Sequence, residues 1–188
     1  GRAFFEVTKN PQKPFLVFTT RIVTRVLGTS FYVDTHARDG HEEVSVRTGR
    51  VQVSENKKSQ EDNKPASSII VTPNQKVVYE PENRLFETRL VEEPQPIPAE
   101  NGPNTLPAPP PTPHLVYDQE KLGNIFRQLA EIYGIEIVVE NPSINECSFT
   151  GDLSEEDLYT KLKSICLATR SSYQVSGTKI LISGKGCD

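Results

Sequence analysis

The 188-residue chain contains no methionine and no tryptophan. Without a methionine there is no start residue, so we expect the chain to be a piece of a longer protein. Its most apolar run, Ile69–Val71, is far shorter than the roughly 20 residues of a membrane-spanning helix. No signal peptide is recognisable either. The sequence therefore predicts no membrane-spanning or secretory segment within these residues.

Dense positive charge is also lacking. Basic and acidic residues nearly balance up to residue 93, and acidic residues are in excess from residue 114 onwards. Proteins that hold nucleic-acid phosphates need a basic stripe, and none is present. We therefore expect no nucleic-acid partner.

Catalytic signatures are missing as well. The three histidines, His36, His41 and His114, lack HExxH spacing, and there is no Gly-x-Ser-x-Gly elbow or phosphate-binding glycine loop. Carboxylate pairs such as Glu155-Glu156 are sequence neighbours, whose side chains point in different directions. The sequence predicts neither an enzyme nor a cofactor.

One cluster has the chemistry of metal ligands. Asp34, His36, His41 and Glu43 would share one face if the segment Arg38–Gly40 turned a hairpin, and their nitrogen and oxygen atoms suit zinc. The alternative is the solvent face of a hairpin, since surface strands commonly alternate in this way. We favour the second interpretation and predict no metal site.

What is present before residue 94 is β structure. Short β-branched and aromatic runs are separated by Pro, Gly and Asn turn signals, including Gly49 and Asn74. Residues 1–93 are predicted to form an all-β domain, either a sandwich or a β-roll. Its predicted strands are Ala3–Val7, Phe15–Thr19, Ile22–Val26, Phe31–Thr35, Val44–Val46, Val51–Val53, Ser68–Val71, Val77–Tyr79 and Leu85–Leu90.

Residues 94–113 contain nine prolines and a single charged residue. This composition favours an extended polyproline II conformation and predicts a semi-rigid linker between two domains.

Residues 114–188 predict a small α+β domain in the order β-α-β-β-α-β-β. Asp118 and Ser154 are the candidate N-caps of its two helices, and Gly134 is expected to end the first helix. The last two strands are predicted at Ser172–Val175 and Lys179–Ser183.

Three blocks near the start carry a family resemblance. Gly1–Asn10 (GRAFFEVTKN), Pro14–Thr19 and Val26–Val33 resemble, in this order, the core signature of the FecR family. The second half resembles the C-terminal domain of FecR-like regulators, itself similar to the STN domains, the short N-terminal domains of secretins and TonB-dependent receptors. The matching residues are 125–129, 133–137, 147–151, 158–162 and 180–187. The family pattern usually has several strands before the first block, so we expect the first domain to lack its first strands.

FecR proteins are anti-sigma regulators of cell-surface signalling in Gram-negative bacteria. The resemblance implies the periplasmic portion of a single-pass inner-membrane protein. Its partners would be the signalling domain of a TonB-dependent outer-membrane receptor and, through a cytoplasmic segment, an extracytoplasmic-function (ECF) sigma factor. The alternative is a periplasmic secretion or cell-wall-binding module, because secretins share the second domain's architecture; the FecR-like first domain argues against it.

The three cysteines all lie in the second domain. Cys166 falls on an apolar helix face, which predicts a buried free thiol. Cys147 and Cys187 flank strand-like segments that a sheet could bring together, so they are the candidate disulfide pair. A disulfide would suit an oxidising compartment such as the periplasm. Two unpaired thiols are the alternative.

Two strands are candidate interaction sites. If the segment Lys179–Ser183, comprising Lys179, Ile180, Leu181, Ile182 and Ser183, is an exposed edge, a strand of the receptor could add to it. The alternative is that Ile180 and Ile182 pack inward and the edge stays solvated. Missing strands before Ala3–Val7 would leave a second unpaired edge, which predicts a homodimer or strand swap of the fragment.

Overall fold

The computed structural model describes residues 1–36, 40–56, 67–98 and 115–187. The chain divides into two compact units, Gly1–Val91 and Glu92–Asp188. The first unit is all-β and the second is α+β, with two α-helices in the described residues. Within these ranges, no helix is long and apolar enough to cross a membrane. Residues 99–113 of the predicted linker and His114 lie outside the described residues.

The described residues of the first unit contain nine strands, which confirm the nine predicted from short apolar runs and turn signals, with ends displaced by a few residues. They form a five-stranded sheet in the order β1-β4-β5-β8-β9 and a four-stranded sheet in the order β2-β3-β6-β7, with every pairing antiparallel. Their bounds are β1 Arg2–Glu6, β2 Phe15–Phe18, β3 Ile22–Val26, β4 Ser30–Asp34, β5 Glu42–Thr48, β6 Val51–Glu55, β7 Ser68–Val71, β8 Gln75–Glu80 and β9 Leu85–Leu90.

The two sheets of this unit share one apolar core. Alternate residues of each strand point inward, as the period-two pattern requires. The buried set contains members of both sheets: Ile22, Val26, Phe31, Val33, Val44, Val46, Val51, Val53, Val71, Val77 and Tyr79. The unit is therefore built as a sandwich, in which the chain changes sheet after each hairpin.

The change of sheet between β5 and β6 depends on Gly49. This residue has φ +76°, in the left-handed region that favours glycine, and a Cβ there would collide with the Thr29 side chain. Asn74, at φ +61°, takes the same backbone region in the turn between β7 and β8. Both turns were predicted from these residue types.

In its described residues, the second unit contains two small sheets and two α-helices. One sheet pairs β10 with β12; the other has the order β11-β14-β13, with β11 and β14 parallel and β13 and β14 antiparallel. The element bounds are β10 Val116–Lys121, α1 Leu122–Tyr133, β11 Glu136–Val139, β12 Ser148–Asp152, α2 Leu158–Thr169, β13 Ser171–Ser176 and β14 Lys179–Gly184, with a 3-10 helix at Pro142–Glu146. The predicted element order is present, with the 3-10 helix added.

Both predicted N-caps are wrong. Strand β10 continues through Asp118 to Lys121, because its pairing with β12 extends that far, and α1 starts at Leu122 without a side-chain cap. Helix α2 is capped by Asp157, whose carboxylate accepts the backbone N–H groups of Tyr159 and Thr160. Ser154 instead accepts the backbone N–H of Leu115 through its hydroxyl. Gly134 ends α1 at φ +61°, as predicted.

Residues 94–98, predicted as the start of the linker, pack against the second unit. Pro94 is buried, and the backbone N–H of Ile97 donates to the carbonyl of Ile132 at 2.8 Å. The Ile97 side chain lies where a Cβ of Gly134 would project. Because glycine has no Cβ, Gly134 both ends α1 and leaves room for the Ile97 side chain.

Candidate interaction surfaces

Strand β14 is the central strand of its sheet, so the prediction that Lys179–Ser183 forms an exposed edge is wrong. Leu181 is paired with Val138 of β11 on one side and with Gln174 of β13 on the other. Ile180 and Ile182 are fully buried, in agreement with the alternative that they pack inward. The parallel pairing with β11 places the last strand between two others, and a partner strand cannot add there.

Among the described residues, the outer strands of this sheet are β11 and β13. Residues 137–139 of β11 are half-buried, whereas residues 174–176 of β13 are exposed. Tyr173 is held on α2 by a stacked contact with Tyr159, with ring centroids 6.2 Å apart. Strand β13 therefore offers the more accessible backbone edge of the second unit.

Cys147 and Cys187 are joined by a disulfide bond, with Cα atoms 5.6 Å apart. Cys147 follows the 3-10 helix and is buried, and its sulfur accepts the backbone N–H of Cys187 at 2.9 Å. The Asn141 side-chain amide donates to the carbonyls of Gly184 and Lys185 at 3.1 and 3.0 Å. The bond and the amide together fix the segment after β14 to the body of the unit.

Cys166 is a free, buried cysteine on α2, the state predicted for it. Burial raises the pKa of its thiol, since the charged thiolate would be poorly solvated there. A thiol with a raised pKa is a weak nucleophile at neutral pH. Cys166 therefore serves as a small apolar residue of the core.

Three of the four candidate zinc ligands, Asp34, His36 and Glu43, are engaged in other contacts. Asp34 accepts the backbone N–H of His36 at 2.9 Å, and the His36 Nδ1 contacts the Thr35 hydroxyl and the amino group of Gly1. Glu43 forms an ion pair with Lys76 at 3.2 Å. In the described part of the chain, no group of three or more histidine, cysteine, aspartate or glutamate residues is arranged to hold a metal ion.

A buried polar network in the first unit is absent from the sequence-based predictions. Glu55, only 5% exposed, accepts the Tyr79 hydroxyl at 2.9 Å and the Arg84 guanidinium at 3.1 and 3.3 Å. Burial, followed by the bond to Glu55, raises the pKa of Tyr79. The sequence does contain a signal for this buried glutamate, because Glu55 continues the series of inward-facing residues Val51 and Val53 along the strand. Such a residue fixes how β6, β8 and the β8–β9 turn meet.

A second buried charge lies on α2. Lys161 is 1% exposed, and its ammonium donates to the carbonyl of Glu156, which directly precedes the N-cap residue of the helix. Burial lowers the pKa of Lys161, since the charged form loses hydration. Lys161 lies three residues after Leu158 and four before Ile165, so it falls on the apolar face of the helix. This spacing is the sequence signal that Lys161 would be buried.

The described residues thus present strand edges at the surface and a last segment that the Cys147–Cys187 disulfide holds in place. Their buried charged groups form internal hydrogen bonds.

Two family models match the chain in sequence order. The model described as FecR protein matches residues 1–52, and the model described as FecR, C-terminal matches residues 114–182. Together they cover more than half of the chain. The chain belongs to the FecR family. Membership of this family supports a role as an anti-sigma factor.

Comparisons with whole proteins add less. Two solved structures of a protein from Parabacteroides distasonis, described as a candidate anti-sigma factor, at 1.65 Å and 2.50 Å resolution, each match 99% of this chain and 78% of their own. Each has 22% sequence identity to this FecR-family chain and a TM-score of 0.40. No curated protein matches the chain.

Proposed function

We propose that this chain is the periplasmic sensor region of a FecR-like transmembrane anti-sigma factor. It relays a signal from an outer-membrane TonB-dependent transducer to an ECF sigma factor. The observation that carries the proposal is the occurrence of two FecR-family segments, in order, in one chain. The Cys147–Cys187 disulfide supports a periplasmic location, because such bonds persist in oxidising compartments.

The proposed relay works through binding equilibria rather than chemistry. A partner shifts a sensor between two states only by as much as its affinities for those states differ. The sigma factor is assigned to a cytoplasmic segment of the longer protein, and the receptor's signalling domain to the two units described above.

We assign receptor docking to the outer edge of β13 in the second unit. A strand of the receptor would extend the sheet there, with backbone hydrogen bonds for affinity and side-chain contacts for selectivity. The two-residue turn at Gly177 and Thr178 makes Ser176 and Lys179 the closing hydrogen-bonded pair of the hairpin. By alternation, the N–H of Gln174 then bonds to β14, and the N–H of Val175 points to the free side.

This alternation provides a matched pair of variants. Val175→Pro removes a donor from the free edge, where proline is tolerated, whereas Gln174→Pro removes a donor from the ladder with β14. Purified signalling domains of TonB-dependent receptors from the source bacterium are tested for binding by calorimetry. We expect one of them to bind the wild-type chain and to lose affinity for Val175→Pro, which keeps a wild-type circular dichroism spectrum. Gln174→Pro is expected to lower the melting temperature.

The outcomes separate the function from the docking site. Binding that is unchanged in a folded Val175→Pro variant would place the receptor on another surface. If none of the receptor signalling domains binds the wild-type chain, the sensor role itself is wrong.

A further inference from the structure

Helix α2 lies along strand β13 in the second unit. The Tyr159 ring stacks on the Tyr173 ring, and the Ser171 side chain forms a hydrogen bond with the Cys166 thiol. Tyr159 and Cys166 are about two helical turns apart, so they define one line along the helix surface. This line follows β13, with Cys166 near the start of the strand and Tyr159 farther along it.

One side of this line is buried and the other side is exposed. Ile165 belongs to the buried face of α2, which covers the centre of the sheet. Lys163 follows Tyr159 by four residues and Leu167 follows Cys166 by one, so both lie on the side away from Ile165. Both are exposed, Leu167 to 72%. We call Lys163 and Leu167 the α2 flank, and this flank lies over the outer edge of β13.

The residues of β13 with free backbone groups point their side chains towards α2. Tyr173 pairs with Ile182, and Val175 pairs with Ile180. Both isoleucines are buried, so Tyr173 and Val175 project on the same side of the sheet as these residues. The N–H of Val175 points to the free side, and by alternation so does the N–H of Tyr173. A partner residue that bonds to either one would therefore place its own side chain on the helix side.

An added strand would place three side chains against α2, opposite Val175, Tyr173 and Ser171. The first would lie beside Val175, which is itself 41% exposed. The second would lie within reach of the Lys163 ammonium, because Lys163 is between the helix residues that contact Tyr173 and Ser171. The third would lie beside Leu167, at the start of the strand.

We infer that the α2 flank selects a partner strand in which an acidic residue stands between two apolar residues at alternate positions. Because this selection requires docking at β13, it rests on the function proposed above. The apolar residues would cover Val175 and Leu167, and the acidic residue would pair with Lys163. A basic residue at the middle position would face Lys163 instead, and like charges so placed are unfavourable.

The side chains beside this edge are available for such contacts. Lys163 forms no ion pair among the residues that the structure describes. The described part of the second unit exposes three large apolar side chains, and two of them, Leu167 and Val175, lie beside the outer edge of β13. Exposed apolar side chains next to an unpaired strand edge mark an interaction site.

The test uses two synthetic peptides with blocked ends, Thr-Val-Thr-Glu-Thr-Val-Thr and its counterpart with lysine in place of glutamate. Binding to the isotope-labelled 188-residue chain is measured by NMR, as shifts of the Tyr173 and Val175 amide signals over a peptide concentration series. We expect the wild type to bind the glutamate peptide about fivefold more tightly than the lysine peptide. Lys163→Glu should reverse this preference, and Leu167→Ser should weaken the binding of both peptides.

Two matched substitutions away from the α2 flank serve as controls. Lys185→Glu reverses an exposed lysine after β14, and Val116→Ser replaces an exposed apolar residue of β10 in the other sheet. Both should leave the affinities and the preference unchanged. Both flank variants and both controls should keep the wild-type circular dichroism spectrum, because the substituted side chains are exposed.

Equal affinities of the two peptides for the wild type overturn the selection, and so does a preference that survives Lys163→Glu. If neither peptide shifts the β13 amide signals, the edge accepts no strand and the selection is wrong as well. The sensor role fails by a different result, the absence of any receptor signalling domain that binds the wild type. A receptor domain that binds the wild type and both flank variants equally well leaves the sensor role standing and removes only the selection by the α2 flank.

Discussion

Breaking the Cys147–Cys187 bond should cost the second unit a large part of its stability. The bond closes a loop with a sequence separation of 40 residues, which contains β12, α2, β13 and β14. In the chain-entropy model, a loop of this length restricts the unfolded chain enough to stabilise the native state by about 4 kcal/mol. Whole domains are stable by only about 5–15 kcal/mol, so the loss is substantial.

Urea unfolding, followed by far-ultraviolet circular dichroism, measures this difference. With a denaturant dependence of about 2 kcal/mol per molar, a loss of about 4 kcal/mol moves the midpoint of the second unit down by about 2 M. We expect this shift for the double variant Cys147→Ala/Cys187→Ala and for the wild type after reduction. Reductant should not shift the double variant further, which controls for its effects on Cys166.

Two results would contradict the predicted effect of the disulfide. If mass spectrometry maps the bond in protein made in an oxidising compartment, and yet oxidised and reduced chains unfold at the same midpoint, the loop does not constrain the unfolded chain. Free thiols at both positions in such protein would remove the bond itself. In that case the support that it gives to a periplasmic location is lost as well.

Three further variants test particular contacts. Glu55→Ala leaves the buried Tyr79 hydroxyl without its acceptor and should lower the unfolding free energy of the first unit by about 2 kcal/mol, measured by urea unfolding. Asp157→Asn tests a pH dependence: hydrogen bonds from the start of α2 lower the pKa of this carboxyl below its ordinary 3.8, so it stabilises the wild type above that pH, and this contribution is lost as pH falls further. The variant should therefore lose less stability than the wild type between pH 5 and roughly pH 2 in thermal melts. Gly134→Ala strains the left-handed residue by about 1 kcal/mol and displaces Ile97, so limited proteolysis near residue 97 should become faster.

The sequence predicted the first unit well because its strands are specified locally. Alternation in Val51–Val53 and turn residues such as Gly49 act within a few positions of the chain, and the strands appear where these signals place them. A strand's neighbours in sequence largely decide its neighbours in an antiparallel sheet.

In the second unit, local sequence signals did not predict which strands lie at the edge of the sheet. Whether Lys179–Gly184 is an edge depends on β11, about 40 residues earlier, which pairs with it in parallel. No turn residue encodes such a pairing, since parallel strands are joined by long crossovers. The predicted N-cap of α2 was wrong for a related reason. Ser154 and Asp157 both have side chains that can cap a helix. The Ser154 hydroxyl bonds to the distant Leu115, which leaves Asp157 as the cap.

The proposed sensor would act through its surfaces, and the internal contacts of its buried groups fit that proposal. The buried charged groups Glu42, Glu55 and Lys161 each form an internal hydrogen bond, and burial raises the pKa of the Cys166 thiol. Among the described residues, no strand pairs with the outer edge of β13, so the proposed receptor docking uses backbone groups that the sheet itself leaves unpaired. Val175→Pro should therefore weaken receptor binding while the stability of the second unit stays that of the wild type, because proline is tolerated on the free side of an edge strand.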